Sequence, residues 1–159
     1  MGSDMSFTRV SPDELAKAFV EPEWAEDFLD ELIAASLWTK GPYGYLGKSW
    51  AGIQYLLDAA RVDVEFFMDG DPVGEKGYLH GWPPKLVAET ARKLSEASFE
   101  RLALHHDAER MDAEDVYPGG WSASSDGGLE DLRKSYEGLV VFFVDATARG
   151  FGAVMSFSN

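Results

Sequence analysis

Ser6-Phe7-Thr8-Arg9-Val10-Ser11-Pro12-Asp13-Glu14-Leu15 decides the fold, because two kinds of local structure meet in it without a linker. Residues 6–10 are rich in β-formers. Ser11 can cap a helix, Pro12 suits its first position, where no amide hydrogen is needed, and Glu14 completes a capping box with Ser11. A strand therefore ends and a helix begins at Ser11. At the far end the chain closes on Phe151-Gly152-Ala153-Val154-Met155-Ser156-Phe157, nearly all apolar or small, as expected of a strand covered on both faces. The two strands are expected to pair.

Helices account for most of what lies between. Trp24, Phe28, Leu32 and Ala35 fall at near-helical spacing and predict an amphipathic helix over 21–35, with Glu23, Glu26, Asp27, Asp30 and Glu31 on its outer face. Gly41-Pro42-Tyr43-Gly44-Tyr45 then breaks regular structure. A second helix over 48–60 puts Trp50, Ile53 and Leu57 on one face, with Gln54 among them. Residues 69–81, dense in glycine and proline, read as a loop, and Pro83-Pro84 opens a helix whose buried stripe is Leu86, Val87, Thr90, Ala91 and Leu94. Shorter helical pieces reach Ala113. A long helix follows from near Asp126 to Ala148, terminated by Gly150. With no repeating strand–helix unit, the expected architecture is one α+β domain over 6–159, a small mixed sheet surrounded by several helices. Residues 1–5 read as a cloning tag or disordered start.

The 159 residues suffice for a substantial core, and 45% apolar with 26% charged residues is an ordinary globular balance. The charge is less ordinary: 28 Asp and Glu against 14 Lys and Arg give a net charge of -14. Such a surface repels phosphate backbones and anionic lipid, which argues against nucleic acid and membrane and for a basic protein partner. No apolar run approaches the ~20 residues that span a bilayer, and no signal-peptide pattern precedes one, so a cytoplasmic location is expected. The absence of cysteine excludes disulfides, thiol catalysis and cysteine-ligated zinc.

No catalytic or metal-binding set is complete. His105 and His106 are adjacent, so a regular helix would point them roughly 100° apart, and His105 with Glu109 supplies only two ligands. Asp69-Gly70-Asp71-Pro72-Val73-Gly74-Glu75 resembles the first half of a calcium loop, but its fifth position is Val73 and its twelfth is His80. Carboxylate neighbours such as Glu109 with Asp112, or Glu114 with Asp115, are expected by chance in so acidic a chain. No cofactor and no metal is expected. The candidate contact residues are Lys48, Trp50, Gln54, Tyr55, Tyr117 and Trp121. Gln54 is an amide on an apolar helical face and must find partners, either in the fold or in a pocket walled by Trp50 and Tyr55. Tyr117-Pro118-Gly119-Gly120-Trp121 turns sharply and presents two large rings, each with a polar tip.

Taken together, Arg9-Val10-Ser11-Pro12-Asp13-Glu14-Leu15, the segment Leu46 to Leu57, Val116-Tyr117-Pro118-Gly119-Gly120-Trp121 and Gly152-Ala153-Val154-Met155 make the chain resemble the YfbM-like family, bacterial proteins of unknown function. In that family a Lys-small-Trp segment leads into His-aromatic-Leu-Leu. Here Lys48-Ser49-Trp50 leads into Gln54-Tyr55-Leu56-Leu57, and an amide cannot titrate near neutrality. Where the family often has Gly-Pro-Ala-Arg, this chain has His80-Gly81-Trp82-Pro83-Pro84 and no arginine. The resemblance implies an α/β-type domain of the bacterial cytoplasm and supplies no reaction. The expected function is a non-catalytic acidic binding protein, immunity- or antitoxin-like, with a basic protein partner. The rival is a small-molecule-binding domain or enzyme with a pocket near Trp50, Gln54, Tyr117 and Trp121.

Overall fold

A computed structural model describes residues 2–36 and 44–159. Strand β1 (Asp4–Val10) runs into α1 (Pro12–Val20) through Ser11, whose hydroxyl accepts from the Glu14 amide while the Glu14 carboxylate accepts from the Ser11 amide. The capping box is formed as the sequence predicts, a device worth about 1 kcal/mol. Then come α2 (Pro22–Ser36), β2 (Gly44–Gly47), α3 (Trp50–Ala59), β3 (Asp71–Pro72) and β4 (Leu79–Trp82). The chain continues through α4 (Pro84–Glu96), α5 (Phe99–Ala103), α6 (Ala108–Ala113), a single 3-10 turn (Trp121–Ala123), α7 (Leu129–Ala148) and β5 (Gly152–Ser158).

The five strands form one sheet in the order β2-β1-β5-β4-β3. The first and last strands are its neighbours at the centre, with Phe7 opposite Met155 and Val10 opposite Gly152. Where the sequence suggests a mixed sheet, every ladder among the described residues is antiparallel, within the same α+β class. The strand also starts earlier than Ser6: Asp4 and Met5 belong to β1 and Met5 is fully buried, so these two residues of the expected tag or disordered start are built into the sheet. Part of the expected break, Gly44 and Tyr45, lies in β2, while residues 41–43 fall outside the described residues. The predicted loop over 69–81 contains β3 and the start of β4. Gly81 sits where a Cβ would come within 2.3 Å of the Phe19 ring, so a glycine that reads as a breaker lets Phe19 lie on the strand.

Alternation in the central strands divides the core into two layers. Met5, Phe7, Ala153, Met155 and Trp82 face α3, α4, α5 and α7 in the larger layer. Val10, Val154 and Leu79 face Leu15 and Ala18 of α1 and Ala25 and Leu29 of α2. Helix α7 buries Leu132, Tyr136, Leu139, Phe142, Phe143 and Ala146, while Leu129 in its first turn is half-buried. The hydroxyl of Tyr136 donates to the carbonyls of Leu94 and Ala97 at 3.0 and 2.6 Å, and burial pushes it up to about 12. It thereby closes the end of α4.

Candidate functional site

Trp50 lies in the first turn of α3 and is half-buried. Its ring is stacked on Tyr117 (centroids 5.8 Å, planes 21° apart) and meets Phe67 and Phe157 edge-on at 5.5 and 5.4 Å. Both polar tips are spent on the start of the chain. Trp50 Nε1 donates to the Ser3 carbonyl at 3.1 Å, and the Ser3 amide donates to the Tyr117 hydroxyl at 2.7 Å. Lys48 is exposed, with its stem against Gly2. His80 meets Phe67 at 6.3 Å; its Nδ1 is buried without a hydrogen-bond partner among the described residues, and burial lowers its pKa, which favours neutral imidazole.

The other candidates turn elsewhere. Gln54 donates to Val64 O (2.8 Å) and Asp58 Oδ1 (2.9 Å) and accepts from the Phe66 amide (3.0 Å). It holds the segment after α3 against the helix and offers nothing to a pocket. Trp121 is 7% exposed; its indole donates to Val116 O, and its amide donates to the Asp112 carboxylate, each at 2.8 Å. Tyr55 lies towards α6, where burial first and the Glu114 charge second push its hydroxyl pKa up. The structure thus brings together Trp50 and Tyr117, and separates them in role from Gln54 and Trp121, which are built into the fold. Among the described residues no group of three or more His, Asp or Glu could hold a metal ion. Asp69 accepts from the Glu65 amide, and His106 Nε2 bonds to Gly127 O, so both side chains serve as ties within the fold.

Two concavities lie on the opposite face of the sheet. Beyond the contact at Leu29, α2 stands away from the strands and leaves a groove of about 1310 Å³. Its helical wall carries Glu26, Leu29, Asp30 and Leu32; its floor includes Ser6, Thr8 and Ser156, and Tyr45 and Tyr78 stand exposed at the sides. A recess of about 860 Å³ by Pro22, Trp24 and Val73 shares Glu26, Lys76, Tyr78 and Leu79 with it, so the two are continuous. The charge is one-sided. Helix α2 contains Glu23, Glu26, Asp27, Asp30 and Glu31 and no basic residue, while the two cations that line the groove among the described residues are engaged, Lys76 with Glu26 at 3.3 Å and Arg9 with Asp145. The sequence places the α2 carboxylates on an outer face, yet Glu26 and Asp30, one turn apart, line the groove. Ser6 and Thr8 alternate with the buried Met5 and Phe7, and that alternation was the signal for a polar floor.

Residues 1–156 match the family described as a domain of unknown function (DUF1877), and the chain belongs to that family. The crystal structure of YfbM from Escherichia coli, a protein of unknown function, is similar over 98% of this chain and 99% of its own, with 16% identity and a TM-score of 0.70. That likeness is one of fold. No curated protein matches the chain. Among the described residues no helix is long and apolar enough to cross a membrane.

Proposed function

We propose that this protein is a non-catalytic binding domain of the cytoplasm that receives a basic segment of a protein partner, in the manner of an immunity or antitoxin protein, in the groove between α2 and the sheet. The observation that carries the reading is the pairing of apolar wall and unbalanced charge. Leu32 supplies surface for an apolar side chain above the buried Leu29, and Glu26 and Asp30 stand beside them, with Lys76 as the counter-ion of Glu26 among the described residues. A lysine- or arginine-bearing segment would gain both terms at once, and the net charge of -14 would speed its approach. The same charge opposes nucleic acid. The rival pocket at Trp50, Gln54, Tyr117 and Trp121 has less support, because all but one of those side chains have their polar groups committed to main chain, and Gln54 to main chain and Asp58.

A photo-crosslinking residue at Leu32, compared with one at the exposed Val144 of α7, tests the assignment in host extract. The expected product is a basic protein captured from position 32, spared at position 144 and lost when Glu26→Gln and Asp30→Asn are combined. Equal capture at both positions, or a partner indifferent to the two carboxylates, would overturn it.

A further inference from the structure

Resting on that groove as the binding site, we infer that its floor contains a subsite for the primary ammonium of a partner's lysine side chain, formed by a row of hydroxyl and carboxylate oxygens across strands β2, β1 and β5. Ser6 is opposite Tyr45 on one side and Ser156 on the other, so the three side chains share one face of the sheet in a line perpendicular to the strands. Asp4, paired with Ser158, stands two residues along on the same face. Directly opposed residues on neighbouring strands have Cβ atoms about 4.5–5.5 Å apart, which brings oxygens of a serine pair within reach of one small donor.

Two features make this row a recognition surface rather than part of the core. The hydroxyls of Ser6 and Ser156 have no hydrogen-bond partner among the described residues, though both side chains are half-buried beneath the groove. The row also lies where the apolar cover stops: Val10 and Val154 are sealed by α1 and α2, whereas the stretch floored by Ser6 and Ser156, with Leu79 beside Ser156, opens into the cavity. An ammonium carries three donors and no acceptor. It suits hydroxyl oxygens that can each turn a lone pair towards it, an adjacent carboxylate, and the exposed ring of Tyr45 for the positive charge.

The test uses the full chain and a fluorescent octapeptide of alternating lysine and leucine, beside the same peptide with trimethyllysine, which keeps the charge and removes every N–H. The lysine peptide is expected to bind at least five-fold more tightly than its trimethyl analogue. Ser6→Ala with Ser156→Ala should abolish that preference while the melting curve stays in place. Glu26→Gln with Asp30→Asn should weaken both peptides, and Asp131→Asn with Glu137→Gln, the same charge change on exposed positions of α7, should weaken neither by more than about two-fold. Equal binding of the two peptides, with dependence on Glu26 and Asp30 intact, would overturn the ammonium subsite and leave the groove standing. Equal effects of the α2 and α7 substitutions would overturn the groove itself. Cadaverine displacing the peptide at equal ammonium concentration would overturn the assignment to a protein side chain in favour of a free diamine.

Discussion

Gln54 uses its side-chain amide on the chain that leaves its own helix, and that single side chain substitutes for a turn of regular structure between Val62 and Phe66. Replacing it with leucine strips partners from Val64 O and the Phe66 amide beside fully buried neighbours, so Gln54→Leu is expected to lower stability by roughly 1–3 kcal/mol in urea denaturation. A neutral result would mean that water reaches both groups. Gly52, two residues earlier and buried in the same helix, supplies a second test because the usual sign should reverse. Glycine to alanine inside a helix ordinarily gains up to about 1 kcal/mol. A Cβ here would sit 2.7 Å from the Trp121 ring and 2.8 Å from Leu132, and overpacking of that kind costs about 1–3 kcal/mol, so Gly52→Ala is expected to be net destabilising. The helical phase of Gln54 is legible in the sequence. Its partner is not, because an inward amide looks the same whether it bonds backbone or a ligand.

The turn from α6 to the 3-10 segment is an element assembled around one carboxylate. Asp112 accepts from the amides of Trp121 and Ser122 and from the Ser122 hydroxyl, and these bonds, the hydroxyl first, hold its pKa below the ordinary aspartate range. A carboxylate depressed in the folded state stabilises above its unfolded pKa, and that contribution is lost as pH falls through the folded pKa. Asp112→Ala should therefore melt lower than wild type at neutral pH, and the gap should close in strong acid; a gap unchanged by pH would exclude the carboxylate as its source. The same aromatic turn was visible as Tyr117-Pro118-Gly119-Gly120-Trp121, though not the division of labour in which Tyr117 ties down Ser3 and Trp121 plugs the core. Longer elements are legible, α7 through repeated helical periodicity and β5 through an unbroken apolar run. Strand β2 has four residues with glycine at both ends and β3 has two with a proline, so neither repeats often enough to be read, and both exist because β1 and β4 offer them an edge.

At the scale of the molecule, 28 carboxylates against 14 cationic side chains repel one another across a domain this small. Raising sodium chloride from about 20 to about 200 mM shortens the Debye length from roughly 20 to 7 Å and should raise the melting temperature by a few degrees. A melting temperature that falls with salt would show that specific ion pairs outweigh the net repulsion. The sheet order has a separate kinetic consequence. Its two central strands come from opposite ends of the described chain, and Ser3 Oγ reaches Asn159 Oδ1 at 2.8 Å, so the β1–β5 ladder needs the longest loop to be closed, on the order of 4 kcal/mol of chain entropy for roughly 150 residues. The β1–β2 and β3–β4 ladders can form without β5, but the two halves of the sheet are joined only through it. Splicing the two ends with a short glycine linker and reopening the chain at the exposed Leu104 would turn that ladder into a hairpin, and such a circular permutant should refold faster than the natural order in stopped flow.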